Sequence, residues 1–233
     1  MNESNKAVGL VKVPARDVSI SQSTYRELFS KILTGEFLPG TIVSEKQLSE
    51  RMGVSRTPVH YAVLQLIKDG LITQEPNRRP VIARITHADV GEIFDMRRLL
   101  ECEAASRAAA RIDRSTLARL RAVAEEVLIP DKLTGALARW ADFDDIFHDA
   151  IALTCGSPRL AADIQRYRMI HHALNRLRMT EDLIPQALQE HMAILTALES
   201  RDGNKASLAM DEHLREWKAF YVQRLLQKPV LSQ

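Results

Sequence analysis

Aromatic residues make up only 5% of this 233-residue chain, which also has just two cysteines, nine glycines and nine prolines. Few aromatics against many Leu, Ala, Arg and Ile argue for helix over sheet. Cys102 and Cys155 show neither metal-ligand nor redox spacing, so a reducing cytoplasm is the expected compartment. No stretch approaches the apolar length of a membrane span. Lys6 and Lys12 near the start are not followed by an unbroken apolar run, so no signal peptide and no membrane partner are expected. Charge of one sign is also lacking, since the net charge is +2. That balance hides an asymmetry: residues 1–85 hold 12 Lys and Arg against 8 Asp and Glu, and residues 86–233 hold 20 against 22. A basic front and a mildly acidic back point to different partners.

What is present is helical periodicity. Residues 1–21 mix residue types without a period and read as a tail. From Ser23, Tyr25, Leu28, Phe29, Ile32 and Leu33 fall on one helical face, and Gly35 stops the run. Pro39-Gly40 suits a tight turn. Ser44 followed by Gln47 is a capping-box signature for a short helix, 45–52, that Gly53 ends. Ser55 is placed as the N-cap of the next helix, with Pro58 in its first turn and Val59, Val63, Leu66 and Ile67 as its buried stripe. Gly70 ends it. "LITQE" and "VIARI", joined by "PNRRP", read as a hairpin. The rest is helical throughout, over about 88–111, 115–128, 134–154, 158–178, 182–200 and 204–227, with a break at Pro130. Short connections favour an antiparallel bundle.

Two helices across a tight turn form a helix-turn-helix, whose second helix can enter the major groove of DNA by its N-terminal end. "VSRTP" supplies the chemistry there. Ser55 and Thr57 can bond phosphate oxygens, and Arg56 can fork onto guanine N7 and O6 or clamp a phosphate. Lys46 is placed for a phosphate, and Arg78 with Arg79 makes a basic wing tip. A capped surface helix is the bland alternative for the pentapeptide alone.

The string "ILTGEFLPGTIVSEKQLSERMGVSRTPVHYAVLQLIKDGLI" resembles the winged helix-turn-helix of GntR-family transcription regulators, over roughly residues 24–85. By that resemblance Lys46, Arg56 and position 60 face double-stranded DNA. Family proteins usually continue Val-Arg-Glu-Ala-Leu, whereas this chain has His60 and Tyr61 where Arg and Glu are usual. A neutral His60 still donates one hydrogen bond but lacks the guanidinium fork. Pro80 stands where the wing usually carries glycine.

A second constellation lies in the bundle. Asp144 and His148 are spaced i, i+4 in "DFDDIFHDAI", so they share a helix face. His191 and His213 lie on two later helices beside apolar positions. Three imidazoles and a carboxylate from three helices make a divalent-metal site, for which zinc suits the ligands, with nickel, manganese or iron as alternatives. By spacing alone His171 and His172 compete as ligands, and purely packing histidines are a further option. Residues 88–225 resemble the all-helical FCD effector domain of the FadR subfamily, and six helices resemble its shorter, VanR-like branch. The family's Asp-x-x-Phe-His is here Asp144, Phe147 and His148, and its later histidines match Glu190-His191 and His213. The resemblance therefore implies Asp144, His148, His191 and His213 as ligands. It also implies a carboxylate-binding role for Arg97. Arg168, Asn175 and Arg176 are further effector-pocket candidates.

The expected protein is mainly α, with a tail to residue 21, a winged helix-turn-helix over 22–85 and a helical effector and dimerisation domain over 86–233. It is expected to be a homodimeric, non-enzymatic repressor on a pseudo-palindromic operator, controlled by a small organic acid near a metal. A metal-dependent hydrolase is the alternative, with only Asp145 and Glu190 on hand as general bases.

Overall fold

The computed structural model describes residues 15–129 and 135–227, without the side chains of 15–19, 33, 170, 173–178 and 224–227. Pro130 and most of the N-terminal tail lie outside the described residues. The chain divides into two compact units, Met1–Arg84 and Ile85–Gln233.

In the first unit, α1 (Ala15–Leu33) is followed by α2 (Glu45–Met52), α3 (Arg56–Lys68), β1 (Ile72–Thr73) and β2 (Val81–Ile82). Helix α1 starts eight residues before Ser23, so the aperiodic run from Ala15 is helical where a tail was expected. Periodicity is the signal from which a helix is read, and the sequence before Ser23 does not carry it. Tyr25, Leu28, Phe29 and Ile32 of α1 are buried, as are Val59, Ala62, Val63 and Leu66 of α3, and the two helices pack together. Tyr25 extends this contact by donating its hydroxyl to Asp69 Oδ2 at 2.7 Å.

The tight turn between α2 and α3 depends on Gly53, whose φ of 65° is left-handed and whose N–H bonds the carbonyl of Ser49. Ser44 caps α2 by accepting from the Gln47 N–H at 3.4 Å. Ser55 sits at the N-cap position of α3 but makes no side-chain cap bond, contrary to the expected role. The hairpin pairs Ile72 with Ile82 and Thr73 with Val81, and Ile42 bridges to Val81. Pro80 suits this edge, because its carbonyl accepts from the Val43 N–H at 2.8 Å and no N–H is required of it.

The second unit holds six α-helices among the described residues: α4 (His87–Ala109), α5 (Arg114–Val127), α6 (Ala136–Thr154), α7 (Pro158–Arg178), α8 (Ile184–Glu199) and α9 (Gly203–Gln227). Thr86 and Asp89 form a complete capping box at the start of α4. A 3-10 turn, Glu181–Leu183, precedes α8, because Pro185 lacks the N–H of a helix interior and settles in the first turn. Helices α4 and α9 form the most extensive pair. The inner face of α4 narrows to Ala104, Ala105 and Ala108, all fully buried, which lets α9 approach. At the far end of that contact a Cβ on Gly203 would lie 2.9 Å from the Ser106 carbonyl oxygen. Ion pairs hold the two helices in register, Arg98 with Asp211 and Lys218 with Asp95 at 2.6 Å. Among the described residues no helix is long and apolar enough to cross a membrane.

Two glycines of this unit should respond in opposite directions. Gly203→Ala must displace backbone and is expected to cost ~1–3 kcal/mol. Gly91→Ala meets only the Lys218 Cε at 3.7 Å and should be neutral or stabilising by up to about 1 kcal/mol through helix propensity. Urea unfolding of both variants checks the contrast, and equal midpoints would refute it.

Candidate functional site

The exposed end of α3 carries Ser55, Arg56, Thr57, His60 and Tyr61, all outside the core that Pro58, Val59 and Ala62 bury. Arg56 makes no ion pair among the described residues, so its guanidinium is uncommitted. The Arg56 and Thr57 N–H groups and a free Ser55 hydroxyl lie at the same tip, a setting that favours a phosphate. Lys46 on α2 is exposed and only loosely paired with Glu50 at 3.9 Å. Arg78 and Arg79 are exposed in the hairpin turn, where Arg78 reaches Glu75 at 3.0 Å. His60 is exposed on α3 and meets a residue of α2. Its Nδ1 lies 2.8 Å from Glu45 Oε1, so the ring's Nδ1–H is spent within the protein. When the ring is neutral, its one N–H is thus given to Glu45 and Nε2 is left as an acceptor.

In the second unit, α6, α8 and α9 bring His148, His191 and His213 together, with ligand atoms within 4.8 Å of one another. All three are buried. Each has its Nδ1 against an acceptor: Glu101 Oε2 at 2.6 Å for His148, the Ala187 carbonyl at 2.7 Å for His191, and Glu190 Oε2 at 2.7 Å for His213. Carboxylates and carbonyls only accept, so a proton sits on each Nδ1, and the Nε2 of a neutral ring is then a lone pair. Metal-binding histidines are oriented in this way by their outer partners. Asp144 Oδ1 lies 3.3 Å from His191 Nε2 and 3.7 Å from His148 Nε2. Acceptors thus face acceptors in a dry interior, and both Nε2 atoms lack a hydrogen-bond partner. A cation between them removes that conflict, and nitrogen plus carboxylate ligands suit a divalent transition metal. The four residues fit such an ion.

The surrounding charges keep the ligands in binding form. Burial alone would raise the Asp144 pKa, but Arg168 chiefly holds it well below the usual carboxylate range. Glu101 is likewise held low, burial being outweighed by Arg97 and His148. Burial and then Arg168 push the His148 pKa far down, and burial and then His191 push His213 from 6.5 down to about 4. Deprotonated carboxylates and neutral imidazoles are what a metal needs.

Arg97 is buried and gives its Nε to Glu101 Oε1 at 2.6 Å, while NH1 and NH2 have no partner. Arg168, equally buried, gives one NH2 to the Asp144 backbone and Oδ2, both at 3.0 Å. Asn175 and Arg176 lie in the last turns of α7, and their side chains fall outside the described residues. His171 stands beside the cluster, 3.9 Å from Asp144 Oδ2, and His172 pairs instead with Asp145 at 2.6 Å. The sequence missed Glu101, which joins Arg97 to His148. The Arg97/Glu101 spacing of i, i+4 was visible, but solvent-exposed helix pairs share it. A cavity of about 10 Å³ opens between Asp144, His171, His213, Met179 and three aromatic rings. The first unit has its own groove of about 340 Å³, lined mostly by aliphatic side chains.

Comparison with known proteins places both units. Residues 20–82 match the bacterial regulatory proteins of the gntR family, and residues 92–216 match the FCD domain. The chain is 30% identical over 211 residues to the HTH-type transcriptional repressor RspR of Escherichia coli K12, covering 84% of this chain and 86% of that one. It is 28% identical over 203 residues to the repressor GlaR of the same strain, covering 82% and 90% of the two chains. Among solved structures, E. coli McbR/YncC matches in fold with a TM-score of 0.67 at 19% identity, covering 88% of this chain and 98% of that one. These relatives are regulators, not enzymes, and nothing among them supports a hydrolase. The chain belongs to the GntR family of bacterial regulatory proteins, as a transcriptional regulator that couples a DNA-binding helix-turn-helix to an FCD effector domain.

Proposed function

We propose that this regulator is a homodimeric repressor that leaves a pseudo-palindromic operator when a small carboxylate effector binds beside a divalent cation in the α4–α9 bundle. The observation that carries the effector half is the shared orientation of His148, His191 and His213, whose Nδ1 atoms are all occupied from outside the cluster. Asp144, His148, His191 and His213 hold the cation, with zinc the best match and nickel, manganese or iron the alternatives. A cation held by four protein groups supplies charge and open positions for an effector oxygen. Arg97 supplies the second charge through its unpartnered NH1 and NH2, with Asn175 and Arg176 as further wall residues. Two relatives that carry the name repressor, RspR and GlaR, support that direction of control.

On the DNA side, Arg56 reads a base edge or clamps a phosphate from the tip of α3, and Ser55 and Thr57 bond the adjacent phosphates. Lys46, Arg78 and Arg79 neutralise the backbone on either side. His60, held by Glu45, accepts from an exocyclic amino group of adenine or cytosine where an arginine would choose guanine. The effector acts by binding unequally to the DNA-competent and DNA-free states. The cytoplasm is the setting in which operator DNA and a reduced thiol pair coexist.

Genomic fragments selected by the purified protein provide the test. Arg56→Ala is expected to weaken binding by about 1–3 kcal/mol and relax the sequence preference at one position per half-site. Lys46→Ala should weaken all sequences alike and reduce the salt slope by about one. Unchanged anisotropy titrations for Arg56→Ala would sink the DNA reading.

The metal reading makes two measurable claims. Glu101→Gln leaves a neutral acceptor for His148 and should lower metal affinity by roughly 10–100-fold in competition with a chelating dye. In chelator, the folded His213 refuses a proton that the unfolded chain accepts, so stability is complete above about 6.5 and declines as pH falls toward about 4. Urea midpoints of apoprotein at pH 7 and pH 5 check the sign, and a higher midpoint at pH 5 would refute it.

A further inference from the structure

Helix α3 has a buried face and a solvent-facing one. Val59, Ala62, Val63 and Leu66 are buried within the unit. Arg56, Thr57, His60, Tyr61, Leu64 and Lys68 are exposed, and their spacing of three and four residues aligns them as one stripe. The permanent charges of that stripe stand at its ends, on Arg56 and Lys68. Its middle is His60, Tyr61 and Leu64. Glu45 adds a carboxylate 2.8 Å from His60 Nδ1, and an anion at that point repels phosphate oxygens. The middle of the stripe is thus unsuited to the DNA backbone, although the tip beside it favours a phosphate. What the major groove offers an uncharged ring is the C5-methyl of thymine, the apolar group among the donors and acceptors of the base edges.

We propose that Tyr61 is a specificity-determining residue whose ring covers a thymine methyl in each operator half-site, so that α3 selects an A·T pair beyond the position that Arg56 contacts. This inference rests on the preceding reading of α3 as the helix that enters the major groove. The Tyr61 ring centroid lies 6.0 Å from that of His60, under two base steps at about 3.4 Å each. The two side chains therefore address the same base pair or neighbouring ones. Their chemistry agrees. A neutral His60 presents an acceptor, adenine presents its N6 amino group, and the thymine paired with that adenine carries the methyl. Position 61 is also where this chain departs from the GntR pattern, with a phenol ring in place of the usual Glu. A carboxylate there would accept from cytosine N4 and is not matched to a methyl. Leu64 continues the apolar stripe one turn further along α3.

Duplexes selected from a random-sequence pool by the full-length wild-type protein supply the probe. Each thymine of the selected half-site is replaced in turn by deoxyuridine, which pairs as thymine does and lacks only the methyl. Anisotropy titration of the wild type is expected to find a position where uracil weakens binding about fourfold, the equivalent of one buried methyl. Tyr61→Ala should bind the thymine and uracil duplexes of that position equally. Tyr61→Phe should restore the penalty, because it keeps the ring and loses only the hydroxyl. Tyr61 is exposed, so both variants are expected to keep a urea midpoint close to that of the wild type, which is read alongside. A selected half-site with no uracil-sensitive thymine overturns the assignment and leaves α3 a DNA reader through Arg56. An undiminished uracil penalty in Tyr61→Ala also overturns it. So does a penalty lost in Tyr61→Phe as in Tyr61→Ala, which assigns the preference to the hydroxyl and not the ring. If no sequence is enriched from the pool, or if Arg56→Ala binds the selected duplexes as the wild type does, the DNA reading of the previous subsection falls with it.

Discussion

Three imidazole protons sit on the outward-facing nitrogens of His148, His191 and His213, and the chemistry of the bundle follows from that placement. The acceptors that hold them come from two helices: Glu101 on α4, and the Ala187 carbonyl and Glu190 on α8. Because those acceptors are fixed, the lone pairs converge without competition. Glu101 in turn needs a cation to remain ionised in a dry interior, and Arg97 supplies it at 2.6 Å. Asp144 has the same need, met by Arg168 at 3.0 Å. Two buried ion pairs therefore serve an arrangement of neutral rings. Such pairs are poor sources of net stability, and their presence in the middle of the bundle is better explained by the site they organise.

The front unit works on a simpler constraint. Helix α3 buries one face against α1 through Val59, Ala62, Val63 and Leu66, which leaves its other face and its N-terminal tip to solvent. Gly53 makes the turn tight enough to set α2 beside that tip. The result is a cationic, hydroxyl-rich end on a rigid helix, a geometry that reads DNA because the scaffold, not the side chain, sets the approach. Glu45 modifies the surface by occupying His60 Nδ1, so a residue that in isolation could present either nitrogen here presents one.

The elements of the fold were legible because each helix carries its own amphipathic stripe and punctuation. Thr86 with Asp89, Gly53, and the i, i+4 placement of Asp144 and His148 all act within a turn or two of chain. Boundaries were less legible where the signal was weak. The sequence over the first turns of α1 shows no apolar period, and the 3-10 turn before α8 arises from Pro185 acting on one or two residues. Ser55 carried a capping signature that its own helix does not use. A hydroxyl at an N-cap position can bond either the helix or a phosphate, and spacing alone does not separate the two.

By itself the sequence determined the local physics: which segments are helical, which face of each is apolar, where turns fall, and which residue types are available for DNA or metal. The tertiary structure alone decided which polar groups share a buried space. His171, His172, His191 and His213 are equivalent as residues on amphipathic helices, yet three chain segments place only His191 and His213 with His148. The same holds for Arg97, Glu101 and Arg168, whose helical spacing is compatible with a solvated face but which lie almost fully buried, Arg97 on Glu101 and Arg168 on Asp144. The reason is physical. Helical periodicity is a property of a few consecutive turns, whereas a pKa, an orphaned donor or a tautomer depends on groups brought together from α4, α6, α7, α8 and α9, and only packing sets those distances.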